Sequence, residues 1–260
     1  MTTLFDLSGR VAVVTGAAGH LGRSTAEALA GAGATVWLVG RQAHRLEELA
    51  ENLTQSGATA IAQRADVLED SDVRSLVDAV ASASGRLDIL VNNAHIGRGG
   101  TLATSKVADF AEAAELALAA PTRLINAFRD LLAAAVPTGS PSVINVTSMY
   151  GLVSPDPRLY ERSEQVSPPY YGAVKAGLLQ LTRYAAVELA PLGIRVNSLT
   201  PGPFPASAGP DFERRLGDRV PLGRVGRAEE IQTAILFLAS PSSSFVTGSE
   251  VRVDGGWTAW

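Results

Sequence analysis

The chain has 260 residues, of which 46% are hydrophobic and 18% charged, and its formal net charge at pH 7 is −4. This composition is ordinary for a globular enzyme, and the small negative charge gives no electrostatic basis for binding nucleic acid or an anionic membrane. Cysteine is absent, which excludes disulfides, cysteine-ligated zinc and thiol nucleophiles. The first residues show no signal-peptide pattern and no apolar run approaches the ~20 residues of a membrane span, so we expect a cytoplasmic protein without a metal site.

Short apolar runs alternate with longer amphipathic segments throughout the chain. The runs are rich in branched residues and have the length of strands buried on both faces, and their alternation with helices predicts an α/β fold with a doubly wound, mostly parallel sheet. No linker or repeat divides the sequence, so we expect one domain over residues 1–260. The predicted strands are Val11–Val14, Thr35–Val39, Ala58–Gln63, Leu87–Val91, Ser142–Thr147, Arg195–Leu199 and Glu250–Val253, and the predicted helices are Leu21–Ala32, Ala43–Gln55, Asp70–Ser82, Lys106–Ala135, Gly172–Ala190 and Ala228–Leu238.

A loop with three glycines, Thr15–Gly22, joins the first predicted strand to the first helix. Glycines allow the backbone to approach a pyrophosphate closely, and the helix N-terminus that follows offers free N–H groups and the positive end of its dipole. The alternative is an ordinary tight turn. The position of the loop favours phosphate binding, for which the candidates are Gly16, Gly19, His20, Leu21 and Gly22.

The end of the second strand bears on the choice of cofactor. An acidic residue there would bind the adenine ribose of NAD, but the sequence has Gly40 followed by Arg41. A guanidinium at this place favours the 2′-phosphate of NADP, so NADP(H) is preferred and NAD(H) stays possible. The alternative makes Arg41 a solvated residue. Arg45, one turn further on, is better explained as a surface residue than as a helper.

Polar residues also follow the third and fourth strands, where ligands bind in open parallel sheets. Asp66, followed by Val67, is placed to bind the adenine amino group. Asn92, two residues before Ala94, is placed to hold the backbone beside the cofactor. Each of these polar residues alone is more often a turn or capping residue.

A tyrosine and a lysine four positions apart, Tyr171 and Lys175, share one face of a long predicted helix. A nearby ammonium favours phenolate and lowers the pKa of a tyrosine from about 10, which makes Tyr171 a candidate general acid or base. Alone, such a pair is usually a helix surface pair. Ser148 ends the fifth strand with a hydroxyl that can hydrogen-bond a substrate oxygen, and Tyr150, two residues further on, is a candidate substrate contact.

In their order and spacing, these motifs resemble those of the short-chain dehydrogenase/reductase family over nearly the whole chain. Each motif is weak, whereas the combination is specific. The matching pieces are the loop Thr15–Gly22, Asp66-Val67, Asn92-Asn93-Ala94, Ser148, Tyr171 with Lys175, Arg195-Val196-Asn197, Pro201-Gly202, and a tail from Val246-Thr247-Gly248 to Val253-Asp254-Gly255-Gly256.

The resemblance implies a Rossmann-type domain with a seven-stranded parallel sheet flanked by helices. It implies a homotetramer or homodimer, often paired through the helix that bears Tyr171 and Lys175. It also implies that Tyr171 transfers the proton, that Lys175 lowers its pKa and binds the nicotinamide ribose, and that Ser148 positions the substrate carbonyl. Pro201-Gly202 would border the nicotinamide, with Phe204 near cofactor or substrate.

Three positions depart from the family pattern. Gly19 comes one position early, and His20 stands where a glycine is common. His95 replaces the glycine that normally follows Asn-Asn-Ala; we expect it to shape the substrate mouth, an acid–base role being the less favoured alternative. Ala117 occupies the place of an asparagine that helps to hold a proton-relay water in many members, so a relay here depends on a backbone carbonyl and water.

The interval between Ser148 and Tyr171 is wider than is usual in the family. The additional residues fall in 151–169, a segment that we expect to roof the substrate pocket. A similar insertion occurs in relatives that resemble sugar- or polyol-oxidising enzymes, and an oligomer contact is an equally good alternative. The polar residues of the segment, which would suit a hydroxylated or anionic substrate, are Asp156, Arg158, Tyr160, Glu161 and Arg162.

We therefore expect an NADP(H)-preferring enzyme that interconverts a secondary alcohol and a ketone or aldehyde, with a small carbonyl or alcohol compound as its partner. Two other classes remain open. One is a cofactor-binding regulator or scaffold without turnover, which Ala117 and His95 favour. The other is a lyase or epimerase that uses the nicotinamide transiently. The sequence does not identify the substrate or the direction of reaction.

Overall fold

The centre of the molecule is a parallel β-sheet. The computed structural model describes residues 4–95 and 97–260, and within them seven strands pair in the order β3-β2-β1-β4-β5-β6-β7. This confirms the predicted sheet, and each of these strands begins and ends within two residues of its predicted position. The strands are β1 (Val11–Thr15), β2 (Thr35–Gly40), β3 (Thr59–Arg64), β4 (Ile89–Asn92), β5 (Ser142–Val146), β6 (Arg195–Pro201) and β7 (Glu250–Val253).

Helices cover both faces of the sheet. They are α1 (His20–Gly31), α2 (Ala43–Gln55), α3 (Asp70–Ser84), α4 (Val107–Ala114), α5 (Ala120–Ala127), α6 (Arg129–Ala135), α7 (Pro169–Leu189), α8 (Pro210–Gly217) and α9 (Gln232–Ala239). Side chains of α1, α2 and α9 pack on one face, and those of α3, α5 and α7 on the other. Strands β1, β4 and β5 are buried along their whole length, which is why their sequences are continuous apolar runs. Among the described helices, none is long and apolar enough to cross a bilayer.

The helix predicted for Lys106–Ala135 is divided, and this corrects the expectation. α4 passes into a wider π turn at Glu115–Ala119, and α5 and α6 are separated at Phe128. Pro121 accounts for the central irregularity, because proline has no N–H with which to continue the backbone hydrogen bonds. Single π turns inside helices are frequent at functional sites.

The second difference is α8, which no predicted element covers. Residues 202–209 form a loop after β6, and the helix begins at Pro210. Pro210 occupies its first turn, Asp211 and Glu213 follow, and Arg214 and Arg215 lie in its last turn. This distribution of charge complements the helix dipole.

Candidate active site

The site begins where the strand order changes direction. The chain winds outward from β1 on one side and from β4 on the other, so the loops that follow these two strands part and leave a crevice at their carboxyl ends. The cleft there has an empty volume of about 1020 Å³. Of the predicted cofactor-binding residues, Gly16, Gly19, Arg41, Asp66, Val67 and Ala94 line it.

The glycine loop after β1 is a close-packed cradle. Gly16 has φ of +63°, a conformation that favours glycine, and a Cβ on Gly22 would overlap the carbonyl oxygen of Gly16. Gly19 is the N-cap of α1 and gives it no side-chain cap, so backbone N–H groups face the cleft side of the loop. His20 is exposed at the start of α1, and Leu21 packs against the core. This cradle fits a pyrophosphate.

Asn93, and not Asn92, fixes the glycine loop to β4. The Asn93 side-chain amide donates to the carbonyl oxygens of Thr15 at 3.1 Å and Gly16 at 3.2 Å. The side chain of Asn92 turns into the protein, where its amide donates to Asn145 at 2.8 Å. The expectation that Asn92 holds the backbone beside the cofactor is therefore corrected in favour of its neighbour.

Two arginines stand at the far end of the cleft. Arg41 follows the last residue of β2 and is exposed. Arg45, expected to be a surface residue, lines the same cleft; its guanidinium donates to the carbonyl of Ala18 at 2.9 Å and to Gln42 at 3.0 Å. The Asp66 carboxylate accepts from the backbone N–H of Leu68 at 3.1 Å. One end of the cleft thus carries two cations and one ordered carboxylate.

At the other end, close packing of α7 brings the three predicted catalytic residues together. A Cβ on Gly151 would lie 2.9 Å from the backbone of Lys175, and one on Gly172 would lie 2.7 Å from the carbonyl oxygen of Tyr150. The turn after β5 can therefore approach α7 closely. The Ser148 hydroxyl is close enough to the Tyr171 phenol to act on its pKa as a hydrogen-bond partner.

Lys175 lies beneath this pair, fully inside the protein. Its ammonium donates to the carbonyl oxygen of Val146 at 2.8 Å and lies 5.8 Å from the centre of the Tyr171 ring. Burial lowers the pKa of Lys175 to about 8. A hydroxyl, a phenol and an ammonium therefore lie together beside the hollow that adjoins the cofactor cleft.

The lowered pKa that we expected for Tyr171 is not found in the structure. Burial raises the pKa of Tyr171, and its hydrogen bond with Ser148 acts in the opposite direction without cancelling that effect. The ammonium of Lys175 is directed at Val146 rather than at the phenol, so its charge does not offset desolvation. In this state of the protein Tyr171 is a neutral phenol, the form that donates a proton.

His95 connects the two ends of the site. It lines the cofactor cleft and also a hollow with Tyr171 and Lys175. Its side chain is exposed at the cleft. Desolvation and the positive charge of Lys175 lower the pKa of His95, so near neutral pH it is an uncharged imidazole.

The segment after β6 lies elsewhere than expected. Gly202 donates its backbone N–H to Val253 at 2.9 Å and has no room for a side chain beside Asp254. Phe204 packs on Gly226 and lines a separate hollow with Val220 and Asp254. In the described part of the chain, Pro201, Gly202 and Phe204 line neither the cofactor cleft nor the hollow beside Tyr171.

The insertion, residues 151–169, packs against α8. Leu159 joins a small apolar cluster with Met149, Leu216, Val220 and Trp257. The Tyr150 and Tyr160 hydroxyls are 3.0 Å apart, and burial is the main cause that raises the pKa of Tyr150. The insertion and α8 therefore form one packed unit beside Ser148.

The charged side chains of the insertion form hydrogen bonds and ion pairs within this unit. Arg215 donates to the carbonyl of Leu159 at 2.8 Å and to Glu161 at 3.2 Å. Asp156 accepts from Arg158 and from Arg219, at 2.8 and 2.9 Å. The expectation that Asp156, Arg158 and Glu161 suit an anionic or hydroxylated substrate is corrected, since these side chains bind one another, Arg215 of α8, and Arg219.

Sequence comparison gives the family of the chain. Residues 16–258 match the family described as Enoyl-(Acyl carrier protein) reductase. The chain belongs to the short-chain dehydrogenase/reductase family, and its relatives are named as dehydrogenases and reductases. It is an oxidoreductase of that family.

Individual relatives differ in what they act on. The chain is 39% identical to cis-4-hydroxycyclohexanecarboxylate dehydrogenase of Sinomonas cyclohexanicum, over 96% of this chain and 97% of the relative. It is 34% identical to galactitol 2-dehydrogenase (L-tagatose-forming) of Cereibacter sphaeroides, over 99% of this chain and 98% of the relative. Among solved structures, the RhlG/NADP active-site complex of Pseudomonas aeruginosa is 31% identical, with 99% of this chain and 100% of that chain covered and a TM-score of 0.89.

Proposed function

We propose that this protein is an NADP(H)-preferring oxidoreductase that interconverts a secondary alcohol and a ketone. The observation that carries the proposal is the clustering of Ser148 and Tyr171, with the buried ammonium of Lys175 5.8 Å from the centre of the Tyr171 ring. Tyr171 and Lys175 line a hollow that shares His95 with the cleft whose glycine cradle fits a dinucleotide. The bound dinucleotide supplies or accepts the hydride.

The chain's own residues manage the proton and the substrate oxygen. Ser148 and Tyr171 converge their hydroxyls on one point, where a carbonyl oxygen accepts hydrogen bonds from both. In reduction, Tyr171 gives its proton to that oxygen; in oxidation, it takes the proton from the alcohol. The raised pKa of Tyr171 keeps the phenol protonated near neutral pH, which favours the reductive direction. Lys175 keeps a positive charge close to the phenol as that proton leaves.

The cofactor preference rests on the two arginines of the cleft. A 2′-phosphate carries charge that a guanidinium binds with strong, charge-assisted hydrogen bonds. Arg41 offers such a group at the end of β2, and Arg45 is held nearby by Ala18. The RhlG relative was solved with NADP, which agrees with this assignment.

For the substrate, the surroundings of Ser148 favour a compound without strong charge near the reacting carbon. Tyr150 and Tyr160 present paired hydroxyls there, while the charged groups of the insertion bind α8 and Arg219. Both named relatives act on secondary alcohols, one on a ring and the other on a polyol chain. Cyclic secondary alcohols and neutral polyols are the classes that we propose.

The proposal is tested by mixing the protein with NADPH or NADH and a panel of cyclic ketones, ketoses and keto acids, and following absorbance at 340 nm. We expect NADPH oxidation with at least one neutral ketone. Tight binding of NADPH without turnover on any member would support a regulator or scaffold instead. Product formation without a net change at 340 nm would support a lyase or epimerase. The family resemblance also leads us to propose a homotetramer or homodimer.

A further inference from the structure

Arg123, on α5, contacts three separate parts of the chain through three different nitrogens. Nη1 donates to the carbonyl oxygen of Val67 at 3.1 Å, Nε pairs with Asp70 at 2.7 Å, and Nη2 pairs with Glu115 at 3.0 Å. The guanidinium is planar and its donors form a rigid fork. One side chain therefore holds these three partners in a fixed relative geometry.

The partners belong to two segments that wall the cofactor cleft. Val67 and its neighbour Leu68 line the cleft after β3. Glu115 is the first residue of the π turn, and its neighbour Leu116 lines the same cleft. Arg123 therefore links the loop after β3 to the π turn.

The loop after β3 depends on this link. The backbone N–H of Asp66 donates to Asp72 at 2.8 Å, and that of Leu68 donates to the Asp66 carboxylate at 3.1 Å. The carbonyl of Val67 lies between these two points. Within the part of the chain that the structure describes, Arg123 is its hydrogen-bond donor and no other donor is bonded to it.

Exposure decides which of the three contacts matters most. The side chains of Asp70 and Glu115 are 69% and 47% exposed, and ion pairs of such exposure contribute little to stability. Val67 is 6% exposed, and a hydrogen bond from a cation to its carbonyl is stronger than one between neutral groups. The two carboxylates thus orient the guanidinium, and the guanidinium holds Val67.

We propose that Arg123 is a positioning residue for the cofactor, because it fixes the distance between the loop after β3 and the π turn and so sets the width of the cleft. It does not itself line the cleft and acts through Val67 and Leu116. Unlike Arg41 and Arg45, it holds segments that NADPH and NADH meet alike. The effect on the cofactor rests on the proposed function; the link between the two segments does not.

The effect on the cofactor is tested by calorimetry of Arg123→Ala with NADPH and with NADH. Both Kd values should rise by the same factor, about tenfold, the effect of one hydrogen bond lost from a charged group. Arg129→Ala, which removes a cation paired with Glu188, is the matched control and should keep both affinities. Unchanged Kd values in a folded Arg123→Ala protein would overturn the proposal, and so would a loss confined to NADPH.

Arg123→Lys separates the fork from the charge. A lysine ammonium can pair with Asp70 or Glu115, but it cannot hold both of them together with Val67. Both Kd values should therefore stay close to those of Arg123→Ala, while the Tm of either variant changes little because the ion pairs are exposed. Wild-type affinity in Arg123→Lys would show that charge alone suffices and would refute the positioning role.

The link itself is tested by hydrogen exchange in the cofactor-free protein. The amides of Leu68 and Glu69 are bonded within the loop after β3. They should exchange faster in Arg123→Ala than in wild type, because the loop opens more often, and at the wild-type rate in Arg129→Ala. Equal rates in Arg123→Ala and wild type would overturn the link. If wild type binds neither NADPH nor NADH, the proposed function fails, and hydrogen exchange decides the role of Arg123 alone.

Discussion

The ammonium of Lys175 donates to the carbonyl oxygen of Val146 over 2.8 Å, a bond that ties the middle of α7 to the end of β5. The lysine is 4% exposed and has no carboxylate among the causes of its lowered pKa. Such a buried charge destabilises the folded protein, although it places a positive charge close to the Tyr171 phenol.

We therefore predict that Lys175→Met stabilises the cofactor-free protein at pH 7 while it abolishes turnover. The pKa of Lys175 is about 8 in the folded protein and 10.5 by reference. The cost of the buried ammonium is thus fully present below pH 8 and is relieved as the pH rises towards 10.5. Thermal denaturation of both proteins from pH 6 to 10 should show a Tm gap that narrows as the pH increases. A Tm difference between the two proteins that widens with pH would contradict the predicted destabilisation by the buried ammonium.

Tyr171→Phe should reduce kcat at least ~10²-fold, the lower limit for a lost acid–base group. The phenyl ring keeps its packing, so NADPH binding, measured by fluorescence, should stay near wild type. Tyr170→Phe is the control, because the Tyr170 ring is buried against Phe110 and not against Ser148. Wild-type turnover in Tyr171→Phe would remove the proposed mechanism.

Removal of either cleft arginine should weaken NADPH binding far more than NADH binding. Arg41→Ala and Arg45→Ala each lose a cation that can bind a phosphate, and the expected loss is about tenfold in Kd for NADPH. Calorimetry with both cofactors gives the comparison. Arg129→Ala, which removes a cation paired with Glu188 on another part of the molecule, should change neither value. Equal losses of affinity for NADPH and NADH would mean that these arginines do not bind the 2′-phosphate.

Breaking the contact between α8 and the insertion should raise KM more than it lowers kcat. Arg215→Ala removes donors to Leu159 and Glu161 but leaves Ser148 and Tyr171 in place. Arg214→Ala, on the same helix and paired only with exposed Asp211 and Asp218 among the described residues, is the control. If both variants have the same KM, the insertion does not shape the substrate pocket.

An outward face of α7 should form a subunit contact. Tyr184 and Val187 are 66% and 78% exposed there, which is unusual for apolar side chains one turn apart. Val187→Glu should shift the protein to a smaller species in light scattering, because a buried, unpaired carboxylate is costly. Gln55→Glu, on exposed α2, should leave the mass unchanged. An unchanged mass in Val187→Glu would place any contact elsewhere.

The sheet and the clustering of Ser148, Tyr171 and Lys175 were predictable because local patterns determine them. Strands buried on both faces leave unmistakable apolar runs, and residues at the carboxyl ends of parallel strands must meet at one edge of the sheet. Ser148 follows such a strand, and the four-residue spacing puts Tyr171 and Lys175 on one helix face.

The features that were not predicted depend on tertiary contacts or on residues whose effect on helix boundaries is visible in the sequence. Pro121 marks a break in the helix between β4 and β5, and the charges of Asp211, Glu213, Arg214 and Arg215 mark α8. The choice between Asn92 and Asn93 is different in kind. The two are neighbours at the end of β4, and only the alternation of side chains along that strand decides which one meets the glycine loop.

The mutual dependence of the insertion and α8 has a practical consequence for redesigning this protein. A chimaera that received the corresponding loop from a relative would leave Arg215 and Arg219 facing a surface without Leu159, Glu161 and Asp156. Libraries aimed at new substrates should therefore vary both segments in the same clones, or keep the ionic contacts and diversify only Tyr150 and Tyr160.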